Sequence, residues 1–73
     1  RADIHRALGA AHLMAGNLEE AQVVLQTAVS LDSAHPLSYF LLGQVLQAHG
    51  QPLRAAEMVR QAHRIDPRYP QTL

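Results

Sequence analysis

The sequence contains no cysteine and no lysine, and it carries no net charge. Without thiols there can be no disulfide staple and no thiolate metal site. That composition fits a reducing compartment, so a cytoplasmic location is the expectation. Six arginines balance six acids. With no basic excess to attract phosphate backbones, nucleic acid is not an expected partner. No apolar run approaches the roughly 18 residues that span a bilayer, and no charged-then-apolar leader is present. No membrane contact is expected from this segment. The chain opens at Arg1 and not at Met, as a fragment or a processed product does. Its 73 residues allow one small domain with a modest core.

What is present is an internal repeat. A shift of 34 residues lays Leu8-Gly9 on Leu42-Gly43, Gly16 on Gly50, Ala21 on Ala55, Ala28 on Ala62 and Asp32 on Asp66. Leu25 meets Val59, and Leu31 meets Ile65. The matching positions are small residues and turn residues, the types that set close helix packing and helix ends.

Each copy reads as two helices. The first is expected from about Ala2 to Ala15, ended by Gly16 in a left-handed C′ position. Asn17 suits the next N-cap, with Glu20 as its capping-box partner. The second helix carries Leu18, Ala21, Val24, Leu25, Ala28 and Leu31 as an i, i+3, i+4, i+7 stripe and stops near Asp32-Ser33. Pro36 opens the third at a first-turn position, where its missing N–H costs nothing. That helix has Tyr39, Leu42, Gly43 and Leu46 on one face and ends at His49-Gly50. Gln51-Pro52 opens the fourth, which offers Leu53, Ala56, Val59, Ala62 and Ile65 for burial and closes at Asp66-Pro67. Pro70 stands 34 residues after Pro36, so residues 70–73 read as the start of a truncated further helix. Turns of two to four residues make consecutive helices antiparallel neighbours.

These residues resemble the tetratricopeptide repeat. The second copy carries its pattern at Tyr39, Leu42-Gly43, Gly50, Ala55, Val59, Ala62 and Asp66-Pro67. The first carries it at Leu8-Gly9, Gly16, Ala21, Leu25 and Ala28. It departs at His5 and His12, where bulky aromatics are usual, and at Ser33, where proline is usual. Looser packing is expected there. The resemblance implies an all-α fold, an α-solenoid with a right-handed superhelix. Its units would span residues 2–35 and 36–69, giving four antiparallel helices. Such units bury their faces only by stacking, so the exposed ends predict self-association or marginal stability.

No catalytic or metal constellation stands out, and no cofactor is implied. His5 and His12 share a helix face but lie seven residues apart, about 10 Å along the axis, too far for one ion. Ser30, Ser33 and Ser38 lack a nucleophile turn. Glu19 and Glu20 sit in a helix first turn, where the macrodipole favours them. Glu57 and Arg60 form an i, i+3 pair. A non-enzymatic chain is expected.

Ligands of the resembled family lie in the concave groove lined by the first helix of each unit. Carried over by position, that groove is Asp3, Arg6, Ala10 and Leu13 from the first copy, and Leu37, Phe40, Gln44 and Gln47 from the second. Spacings of three, four and three put each set on one helix face. Chaperone-binding members grip a carboxylate with Lys and Asn. Here Arg6 holds one basic position, but Ala10 and Leu41 replace the Asn residues, so that clamp is not expected. The resemblance implies a module that binds a protein or peptide, with Phe40 as anchor. Two other functions fit the same fold: a substrate-selecting segment of an enzyme such as a glycosyltransferase, or a homo-oligomerisation module.

Overall fold

The structure, a computed structural model, describes residues 1–73. It is all-helical: α1 Ala2–Met14, α2 Leu18–Leu31, α3 Pro36–Ala48 and α4 Pro52–Ile65. The 34-residue recurrence extends to the backbone hydrogen bonds. Gly16 N–H donates to Leu13 O (3.1 Å) and Asn17 N–H to His12 O (2.8 Å), and after α3 Gly50 N–H donates to Gln47 O (3.1 Å) and Gln51 N–H to Leu46 O (2.9 Å). Both glycines are left-handed, at φ +80° and +75°. This is the paired-bond C-terminal cap that glycine permits without steric cost. Asp32 and Asp66 close α2 and α4 in extended backbone. Each then accepts a backbone N–H two residues on, from Ala34 (3.2 Å) and Arg68 (3.0 Å).

Two expectations need correction. Asn17 does hold the N-cap of α2, but its side chain makes no cap bond, so no capping box forms. Its side-chain amide lies instead 3.5 Å from His12 Nδ1, while its backbone N–H is spent on ending α1. Residues 70–73 carry no helix. They follow a turn in which Tyr69 N–H donates to Asp66 O (3.0 Å). A cap that went unforeseen is His35, whose Nδ1 accepts from Leu37 N–H (3.3 Å).

Each helix packs on the next in sequence, with a smaller contact of α1 on α3. The radius of gyration, 10.8 Å, is close to the roughly 11 Å of a compact chain of this length. The core is formed by Ala21, Leu25, Leu41, Leu42 and Val45, flanked by Ala10, Leu13, Leu18, Val29, Leu37 and Met58. The small residues work as backbone seams. A Cβ on Gly9 would meet Leu25 Cγ at 2.5 Å, and one on Gly43 would meet Val59 Cγ2 at 2.6 Å.

The first helix is far more exposed than its counterpart in the second copy, and position accounts for it. α1 buries only Gly9, whereas α3, held between α2 and α4, buries six residues. Leu8 and Leu42 are the same residue in the same register. Leu8 is 45% exposed and Leu42 5%.

Candidate functional site

A cleft of about 530 Å³ opens beside α1 and α3, lined by Leu13, Phe40, Gln44, Gln47, Ala48, Pro70, Thr72 and Leu73. Four of the predicted groove residues meet there: Leu13, Phe40, Gln44 and Gln47. The helical spacing of Phe40, Gln44 and Gln47 puts all three on one face of α3. Leu13 comes from the last turn of α1, a helix that also contacts α3.

The other four predicted positions do not line the cleft. Ala10 and Leu37 pack against the core cluster, because apolar side chains beside a helix seam are drawn into it. Asp3 is exposed and paired with Arg1 (3.2 Å). Hydrogen bonding from that guanidinium holds its carboxyl below the usual carboxylate range. Arg6 is folded inward, its side chain only 11% exposed, with Nη1 4.0 Å from Asp32 Oδ2 at the end of α2. A nearly buried cation sits close to an anion because desolvation is costly otherwise. Arg6 Nη1 is thus buried near the end of α2 without a hydrogen-bond partner, and Arg6 lines no part of the cleft.

The residues that sequence reasoning missed come from the segment after α4. Tyr69 stacks on Phe40 with ring centroids 5.6 Å apart and planes tilted by 60°, a favoured aromatic geometry. His63 anchors the turn: its Nδ1 is 2.6 Å from Tyr69 O, and its Nε2 is 3.2 Å from the Gln71 side-chain amide nitrogen. A ring that donates through Nδ1 and accepts through Nε2 satisfies both bonds. Pro70, Thr72 and Leu73 then complete the cleft. The only sequence signal was Pro70 in register with Pro36, and it pointed to a helix start instead.

At the other side of Phe40, Arg68 grips Asp66 at 2.8 Å. Side-chain hydrogen bonding from Arg68 depresses the Asp66 carboxyl and raises the guanidinium in turn. The cleft itself has no titratable side chain among its lining residues. It offers apolar surface, two amides that can each donate and accept, and one hydroxyl without a base. Such a lining can bind but has nothing to transfer a proton or activate a nucleophile. Nowhere do three histidine, aspartate or glutamate side chains converge as metal ligands would. No helix is long and apolar enough to cross a membrane. Comparison with protein-family models, with curated proteins and with solved structures finds no match to this chain.

Proposed function

We propose that the chain is a pair of tetratricopeptide-type units, stacked as a right-handed solenoid, that binds an extended protein or peptide segment in the cleft along α3. The observation that carries this reading is the cleft's lining. Phe40 supplies a half-buried aromatic anchor, and Gln44 and Gln47 flank it with amides. An extended backbone presents alternating N–H and C=O groups, which primary amides can pair in either sense. The chain's own Pro70, Thr72 and Leu73 line the same cleft without helical structure. They illustrate a chemistry that fits: a short non-helical stretch with proline and an aliphatic side chain. The lack of acids and bases in the cleft favours binding over catalysis.

The test is selection from a random peptide library on the chain, followed by affinity measurement on the Phe40→Ala variant. Loss of an anchor aromatic costs about 2 kcal/mol or more, close to a thirtyfold weakening. Leu53→Ala serves as control, since Leu53 is 81% exposed and lines no part of the cleft. Peptides that bind Phe40→Ala as tightly as the unaltered chain would sink the reading.

A further inference from the structure

We infer that this chain stacks on further copies of itself, head to tail, with the α4 end of one copy seated on the bare α1–α2 face of the next. This surface meets the cleft only at residues 70–73 and leaves its Phe40 face aside; it rests on three observations.

The first is an internal pattern for the junction. Within the chain, α2 packs on α3 and buries Leu41, Leu42 and Val45. Shifted by 34 residues, these positions are Ala7, Leu8 and Ala11 of α1. All three are exposed, and Ile4, in register with the fully buried Ser38, is 59% exposed. Together they form an unbroken apolar stripe at i, i+3, i+4 and i+7. The stripe has the shape that receives a second helix of a unit, and it has no helix on it.

The second is the charge distribution. Residues 1–35 hold two arginines against four acids; residues 36–73 hold four arginines against two acids. The neutral chain is thus an electric dipole along its own repeat axis. That favours head-to-tail contact and opposes contact between like ends.

The third is the register of individual charges. At the internal junction, Gln26 of α2 and Arg54 of α4 line one cleft over Leu42 and Leu46. In a junction between copies, Arg60 takes the place of Gln26, and Glu20 of the incoming copy takes the place of Arg54. The shift that moves a helix from one unit to the next thereby brings opposite charges together, with Leu8 beneath them in the position of Leu42. Glu20 and Arg60 are both exposed in the isolated chain and free of ion pairs. A head-to-tail contact uses two different patches, so it propagates unless rotation closes it into a ring.

Sedimentation velocity over a concentration series tests this on the 73-residue chain. The average mass of the unaltered chain should rise past that of a dimer. Glu20→Arg alone and Arg60→Glu alone should each weaken association at least about tenfold, since each sets like charges face to face. An equimolar mixture of the two variants should associate again, because every junction between unlike variants pairs Arg with Glu. Both substitutions are at exposed positions and should leave the helical circular dichroism unchanged; Glu20→Arg also loses a favourable first-turn charge, which lowers Tm slightly without unfolding the chain. Removing residues 70–73, which stand in register with residues 2–5 of the incoming copy, should tighten association. A chain that stays monomeric throughout, or stops at a dimer, overturns the inference. So does a mixture that fails to recover, or a truncated chain that associates less. Self-association abolished by Phe40→Ala would put the contact in the cleft and also overturn it.

Discussion

Replacing Gly43 by alanine would probe the seam on which the second helical pair depends. A methyl group there falls 2.6 Å from Val59 Cγ2 and 3.2 Å from the Ala55 carbonyl oxygen. Carbon atoms in comfortable contact rest about 3.5–4.0 Å apart. Val59 is fully buried, and its branched Cβ leaves essentially one rotamer in a helix. The Ala55 carbonyl belongs to the α4 backbone and moves only with that helix. Relief therefore means lifting α4 off α3 along the line that buries Ala55, Val59 and Ala62. Overpacking costs about 1–3 kcal/mol, and a stiff partner with backbone behind it puts this site near the upper value. Alanine recovers about 1 kcal/mol as the better helix former. The net loss is then about 2 kcal/mol, against a total of roughly 4–11 kcal/mol for a domain of this size. Thermal unfolding followed by circular dichroism should show Tm lowered by roughly 8–16 °C. Urea titration should show a lower midpoint with an unchanged slope. Val59→Ala makes room for the new methyl, so the double variant should fall short of the additive loss by about 1–2 kcal/mol. Gly50→Ala is the control: no atom lies within 4 Å, its cost comes from left-handed backbone alone, and it should not couple to Val59. A Gly43→Ala chain as stable as the original, or strict additivity with Val59→Ala, would refute the close approach.

Two further outcomes follow from polar groups. Ser38 is fully buried and its hydroxyl has no partner, so Ser38→Ala should leave stability unchanged or raise it by up to about 1 kcal/mol in urea unfolding; a clear loss would mean that the hydroxyl is bonded. Asp66 has its carboxyl depressed by the hydrogen bonds from Arg68. Its folded pKa lies below the unfolded one, so its contribution is present above the unfolded pKa of about 3.9 and is lost as pH falls through the folded value. The stability difference between the original chain and Asp66→Asn should therefore shrink as the pH is lowered below about 4. A difference constant with pH would show that the ion pair contributes nothing.

The helices were legible because their punctuation is local. Gly16 and Gly50 take left-handed turns that other residues resist, and Pro36 and Pro52 occupy first-turn positions that need no N–H. The apolar stripe of α2 showed by its spacing the face that buries Ala21, Leu25 and Ala28, although Leu31 at its end is 55% exposed. What escaped the sequence depends on neighbours. Asn17 looks like a capping residue, yet it must also terminate α1, and the geometry that ends one helix leaves its side chain pointed away from the next. His35 caps α3 through a ring nitrogen, where serine or aspartate would be the expected signal. Ala10, Leu37 and Arg6 occupy the positions expected of groove residues, but in a chain of four helices those positions also flank the core and the end of α2. Position within a repeat therefore did not settle position at the surface. Tyr69, which stacks on Phe40, had no periodic signal at all.

The two proposed surfaces follow from one period but draw on different helix faces. The cleft uses Phe40, Gln44 and Gln47, the face of α3 that neither α2 nor α4 covers fully. The stacking face uses Ile4, Leu8 and Glu20, whose register partners Ser38, Leu42 and Arg54 meet the first unit inside the chain. One copy joining another therefore leaves Phe40 where it was. It does change the last element of the cleft, because residues 70–73 line the cleft and also stand in register with the incoming α1. Stacking that displaces them removes Pro70, Thr72 and Leu73 from the lining of the cleft. By linkage, a peptide that binds only where those residues have moved aside must in turn favour the stacked state. A groove ligand that raises the association constant of the chain would tie the two surfaces together. A ligand with no effect on association would show that the tail keeps its place when copies meet.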